Sequence, residues 1–198
     1  MAGILEKMDG KLDEILNVLK AKGQWEIQDN KSDEGTSREV LHKLEKELNA
    51  LKRTRNGIQH NFPHENLRLF GCYFFCLLRW AEEIRGEGFN EKDIVPLFNE
   101  AQKINTRNAA GDTVPIINER CFVNDPVRLL NFLAGRNVVS RVAIHTNDGN
   151  WQMPTVKIFI MRETNFVETT HFVLNIDGTR WDSLPYRPRT PAGFRVLI

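Results

Sequence analysis

The hydrophobic period of this chain changes at Gly135, and that change limits the folds open to it. Before Gly135, apolar residues recur every three or four positions, as on one face of a helix; after it, they alternate, as on a half-buried strand. Leu69 to about Arg85 reads as one strongly apolar helix, with Phe74, Leu77, Ala81 and Ile84 on a shared face and Phe70 preceding them at the same spacing. Asn90 to Gln102 is a second helix. Asp125 to Ala134, opened by Asn124 as cap with Pro126 in the first turn, is a third. Val138 to His145, Thr155 to Arg162 and Thr170 to Ile176 read as strands, and Asp177-Gly178 is a tight-turn signal leading to a fourth over Thr179 to Asp182. Helices first and an antiparallel sheet afterwards predict an α+β fold.

The N-terminal part has a different pattern. Ile4, Met8, Leu12, Ile15, Leu16 and Leu19 form an amphipathic stripe, Ala21 to Arg38 is a polar linker, and Leu41, Leu44, Leu48 and Leu51 form a short seam in a helix from about Ser37 to Asn56 that Gly57 ends. Residues 1–60 are therefore expected as a helical hairpin or short coiled-coil region, and 61–198 as the main domain. The apolar stripes suit packing on the domain, a homo-oligomer contact or a substrate-facing appendage.

Charge excludes one class of partner. With 27 basic and 26 acidic residues the net charge is +1, so no global field exists to hold a phosphate backbone, and nucleic acid is not expected. No apolar run approaches the ~20 residues of a membrane helix, so stable membrane insertion is not expected either. Acidic Glu6, Asp9 and Asp13 interrupt the N-terminal apolar positions, which predicts no signal peptide and a chain that is cytoplasmic as synthesised. Three cysteines, Cys72, Cys76 and Cys121, are too few and too unevenly spaced for a disulfide framework.

Among these thiols Cys72 has the position that chemistry needs. A helix N-terminus and a nearby imidazolium favour the thiolate of a cysteine, and Gly71 lets the chain turn so that the apolar helix begins at or just before Cys72. Cys76, one turn further in, reads as core. His171 lies near the start of an apolar strand, where a sheet packed on the cysteine helix can hold a general base rigidly. The hairpin that follows returns through Asp182, a carboxylate able to accept from the imidazole and fix its tautomer.

Phe70-Gly71-Cys72-Tyr73-Phe74-Phe75, His171-Phe172-Val173-Leu174 and Trp181-Asp182-Ser183-Leu184-Pro185, in that order, resemble the papain-like cysteine peptidases, including the NlpC-type cell-wall hydrolases and the peptidases that trim bacteriocin leaders. The resemblance covers about Asn61 to Tyr186. It implies a papain-like fold, with Cys72 as nucleophile, His171 as base and Asp182 as orienter. In papain a glutamine six residues before the cysteine helps form the oxyanion hole, and Asn66 has that spacing here; Ser183 stands where the Asp-Pro pattern has proline. The activity implied is amide hydrolysis through a thioester, with peptidoglycan peptides as the favoured substrate and an endolysin-like release to the cell wall through a holin-type pore. An intracellular papain-like protease and a non-catalytic interaction protein on the same scaffold are the alternatives.

Other constellations carry less. His60 and His64 flank Pro63 and read as solvated loop histidines, and Cys121 with His145 is a second thiol–imidazole pair without the helix-start placement. Lys52-Arg53-Thr54-Arg55 reads as a helix C-terminus complementing its dipole. Trp151, Trp181 and Tyr186 are candidates for a substrate groove or for core. No phosphate loop, dinucleotide fingerprint or zinc set occurs, so no cofactor and no metal is expected.

Overall fold

The computed structural model describes residues 42–44, 53–146, 152, 154–164, 170–185 and 189–198. Two compact units divide the chain, Met1–Leu48 and Asn49–Ile198. Of the first, only residues 42–44 are described; they are helical and exposed. The expected helix over Ile4 to Leu19, the linker and the rest of the leucine seam lie outside the described residues.

In the second unit a short 3-10 turn, Ile58–Asn61, leads into helices α1 (Glu65–Phe70), α2 (Cys72–Arg85) and α3 (Glu91–Ala101). A small hairpin of β1 (Asn105–Arg107) and β2 (Thr113–Pro115) and helix α4 (Pro126–Ala134) follow. The chain then enters β3 (Val142–Thr146), β4 (Ile158–Thr164), β5 (Thr170–Ile176), β6 (Thr179–Trp181) and β7 (Thr190–Leu197). These five strands pair antiparallel in the order β3-β7-β4-β5-β6, so the unit is α+β. Among the described residues no helix is long and apolar enough to cross a membrane.

The apolar run expected as a single helix is two helices, because the chain breaks at Gly71. The Gly71 N–H bonds the Leu67 carbonyl at 2.9 Å, and a Cβ at Gly71 would collide with that same carbonyl oxygen. Phe74, Leu77 and Ala81 are fully buried as their spacing required, but the break leaves Leu69 and Phe70 each 53% exposed, so Phe70 does not join their face. Helix α2 packs against α4 and β5. Edge-on contacts of Phe62 with Phe75 (5.2 Å) and Phe74 with Phe98 (5.5 Å) bind the turn before α1 and helix α3 to it. Full burial of each such side chain stabilises the fold by about 1.5–3 kcal/mol.

Local chemistry moves several boundaries. Asp125, not Asn124, caps α4, accepting from Arg128 N–H at 3.0 Å, while Asn124 donates from Nδ2 to the Pro115 carbonyl. Asn131 Oδ1 accepts from the N–H groups of Val138 and Val139 at 2.8 and 3.0 Å, which holds these residues out of the sheet, so β3 begins only at Val142. The segment expected as a basic helix end is not helical from Arg53 onwards. Arg53 instead pairs with Glu83, and Thr54 binds the fully buried Glu82 through its N–H (2.9 Å) and its hydroxyl (2.5 Å). Residues 53–60, expected with the N-terminal region, are thus built into the Asn49–Ile198 unit.

β7 lies between β3 and β4, and Pro191 and Gly193 disguise it in the sequence. Gly193 adopts φ 144°, and a Cβ there would meet the His145 carbonyl, so only glycine permits this approach. The β4–β7 register shifts between Arg162 and Glu163 beside it.

Candidate active site

Three elements bring Cys72, His171 and Asp182 together. His64 Nδ1 accepts from Leu67 N–H and starts α1, so His64 is a helix cap rather than a solvated loop residue. The break at Gly71 then restarts the helix with Cys72 as its first residue. Cys72 is half-buried, whereas Cys76 is fully buried, and burial pushes the Cys76 thiol well above the usual range. Cys76 is core, as its position on the helix required.

His171 is the second residue of β5 and the cross-strand partner of Glu163 in β4. The turn between β5 and β6 places Asp177 (φ 49°) and Gly178 (φ 81°) in the left-handed region, the signature of a two-residue hairpin. That turn aligns Leu174 with Trp181 and delivers Asp182 back to the start of β5. His171 Nε2 and Asp182 Oδ1 are 2.7 Å apart, with both side chains buried.

Burial lowers the His171 pKa, but hydrogen bonds to Asp182 and Cys72 and the charges of both outweigh it, so the imidazole is held above its ordinary range. With Nε2 committed to Asp182, Nδ1 remains for the Cys72 thiol. Asp182 shows the complementary balance. Burial raises its pKa, yet the His171 hydrogen bond, the Leu184 N–H and the charges of His171 and Arg180 bring the carboxyl below its usual range. An imidazolium flanked by a carboxylate and a helix-start sulfur is an arrangement able to exchange a proton with the sulfur while keeping one ring orientation.

The orienting loop is fastened by residues that precede Asn61, the expected start of the main domain. Asn56 Oδ1 accepts from Asp182 N–H, Gly57 N–H donates to the Asp182 carbonyl, and Gln59 N–H donates to the Ser183 carbonyl, each within 2.8–2.9 Å. The Ser183 hydroxyl donates to Gln59 Oε1 at 2.7 Å, and Gln59 Nε2 donates to the Arg68 carbonyl in α1. Ser183, which stands where the Asp-Pro pattern has proline, is therefore a latch that ties the orienting loop through Gln59 to α1, the helix just before the one that carries Cys72. Glu163, Arg180 and Arg189 complete the surroundings of Asp182. The register of the strands carried the signal for Glu163, but the expected strand stopped one residue short of it.

Asn66 lies in α1, half-buried, and among the described residues its side chain has no hydrogen bond to Cys72 or His171. The Cys72 N–H, at the first helical position, has no acceptor within its own helix. Cys121 is 4% exposed, with burial first and the charge of Cys72 second pushing its thiol to about 12. His145 stacks on Phe194 at 4.4 Å and makes no hydrogen bond to Cys121 among the described residues. Trp181 is buried and donates its indole N–H to the Thr54 carbonyl, which makes it core; Trp151 and Tyr186 lie outside the described residues. An open cleft of about 450 Å³, lined by Asn56, Gly57, Arg180, Asp182, Leu184 and Pro185, reaches the cluster from the Asp182 side; its lining does not include Cys72.

Comparison with protein-family models, with curated proteins and with solved structures found no match to the chain. The class of molecule defined by fold and site is an α+β protein carrying a Cys–His–Asp constellation at the start of a buried helix.

Proposed function

We propose that this chain is a papain-like cysteine hydrolase that cleaves an amide bond through a thioester acyl-enzyme. The observation that carries the reading is the buried His171–Asp182 pair, Nε2 to Oδ1 at 2.7 Å, with Cys72 at the start of its helix among the groups that raise the imidazole pKa. Cys72 Sγ attacks the carbonyl carbon, and His171 delivers its proton to the leaving amine. A water then gives a proton to His171 and attacks the thioester, releasing the acid and restoring the thiol. The N–H of Cys72, which has no acceptor within its own helix, is the main-chain donor for the oxyanion, with Asn66 as the side-chain candidate. No cofactor or metal enters this chemistry. The favoured substrate is the peptide of bacterial peptidoglycan, reached as an endolysin reaches it, which rests on the motif resemblance alone; an assembly role for residues 1–60 rests on the apolar stripes in their sequence.

The chemical test is native alkylation. Near neutral pH, iodoacetamide should modify Cys72 faster than free cysteine, and an equal or slower rate would remove the activated nucleophile. A second reading, an interaction protein without catalysis, draws support from the cleft that opens beside Asp182 rather than Cys72; the slow alkylation outcome favours it.

A further inference from the structure

Asp182 receives a hydrogen bond or an ion pair on every side. Its Oδ1 takes His171 Nε2 (2.7 Å) and the Leu184 N–H (2.9 Å), and its Oδ2 takes Arg180 Nη2 (2.8 Å) and Arg189 Nη1 (3.4 Å). Arg180 is itself held by Glu163, Nη1 to Oε1 and Nη2 to Oε2, the second at 3.0 Å. Arg189 Nη1 also lies 4.0 Å from Glu163 Oε2. Two carboxylates and two guanidiniums thus form a square behind the imidazole, with Glu163, Asp182 and Arg189 side chains 4%, 8% and 7% exposed and Arg180 at its outer corner 31% exposed. A buried orienting pair needs none of this for neutrality, since His171 as imidazolium already balances Asp182.

We infer that Arg180 and Glu163 are positioning residues, which fix the plane of the Asp182 carboxylate and so the orientation of His171 toward Cys72; the inference rests on the hydrolase reading above. The fork of Arg180 is what makes the geometry specific. Glu163 takes a donor from each Nη and so sets the plane of the guanidinium, from which Nη2 also reaches Asp182 on the Oδ2 side and leaves Oδ1 to the imidazole and the Leu184 N–H. Without Glu163, the guanidinium is free to turn both donors onto Asp182 and compete with His171 for Oδ1. A lysine in place of Arg180 keeps the charge but has no fork to divide between two carboxylates. Among the described residues, the charged and titratable groups around Asp182 are Cys76 from α2, Glu163 from β4, His171 from β5, Arg180 from β6 and Arg189 ahead of β7.

The test is the alkylation rate of Cys72 in the full-length protein, measured with iodoacetamide from about pH 4 to about pH 8 and read by mass spectrometry of the Cys72 peptide. Folding is followed by circular dichroism. Arg180→Gln and Glu163→Gln should each lower the rate near pH 6 on the order of tenfold, the scale on which loss of a group that orients a functional histidine acts. Arg180→Lys should fall between Arg180→Gln and wild type, and it is the variant that keeps the test valid should the others unfold. Folded variants that alkylate at the wild-type rate at every pH would overturn the positioning role while the hydrolase reading stands. A wild type no faster than free cysteine would overturn both.

Discussion

Glu82 is the most exacting test of how this fold is held. Its carboxylate is fully buried and takes the Thr54 N–H at 2.9 and 3.1 Å, the Thr54 hydroxyl at 2.5 Å and the Phe89 N–H at 3.0 Å, with Arg79 Nη1 at 3.6 Å. Glu82→Gln keeps the shape and one oxygen. If that oxygen stays where the Thr54 hydroxyl and Phe89 N–H meet it, the new NH₂ faces the Thr54 N–H and Arg79, donor against donor. One buried donor left unsatisfied costs about 1–3 kcal/mol, and the remaining bonds lose their charge assistance, so the expected loss is about 3 kcal/mol. For a unit of this size that lowers the melting temperature by about 6–12 °C, measurable by circular dichroism with urea titration as the second probe. Burial raises the Glu82 pKa above its ordinary 4.5 against the opposing effect of its hydrogen bonds and Arg79. An acid with a raised folded pKa contributes most below its unfolded value and less as pH rises through the folded one, so the wild-type advantage over Glu82→Gln should shrink as pH rises from about 4.5. A loss under about 0.5 kcal/mol, the range of ordinary surface substitutions, would refute the clasp.

The His171–Asp182 pair has two limbs. His171, raised above 6.5, contributes stability that is present below that value and is lost as pH rises through its folded pKa; Asp182, lowered below 3.8, contributes stability present above that value and lost as pH falls through its own. Asp182→Asn should flatten both limbs of a urea-stability profile against pH, and an unchanged profile would show that the pair is not coupled to folding. Gly71→Ala should destabilise by about 1–3 kcal/mol in urea titration, because its methyl meets the Leu67 carbonyl; a neutral result would mean that the α1–α2 break tolerates a side chain. Under native conditions iodoacetamide should label Cys72 well before Cys76 and Cys121, and equal labelling of the three would contradict the burial of Cys76 and Cys121.

The sequence carried the class of fold because periodicity reports burial, and the β5–β6 hairpin because Asp177-Gly178 has the left-handed angles that turn demands. Cys72, His171 and Asp182 could be singled out for the same local reasons: a glycine before a helix, a histidine at a strand start and a carboxylate after a tight turn. What stayed hidden depends on contacts distant in sequence. β7 contains Pro191 and Gly193 and shows no clean alternation, although its glycine is needed only because β3 passes so close. Arg53 and Thr54 looked like the end of a helix until Glu82 and Glu83, some 30 residues on, gave them partners. The square of Glu163, Arg180, Asp182 and Arg189 joins strands β4 and β6 to the residue after β6 and the residue before β7, and charged residues at strand ends read as solvent-facing when strand order is unknown.

The central claim is that Cys72 is a hydrolytic nucleophile with a peptide substrate. Purified bacterial peptidoglycan incubated with wild type and with Cys72→Ala, both checked for folding by circular dichroism and the products read by mass spectrometry, tests it most directly. Release of peptide fragments by wild type alone is the expected result, and the fragment masses would name the bond. Equal release by both proteins would remove Cys72 from the chemistry, and no release by either would contradict the cell-wall substrate.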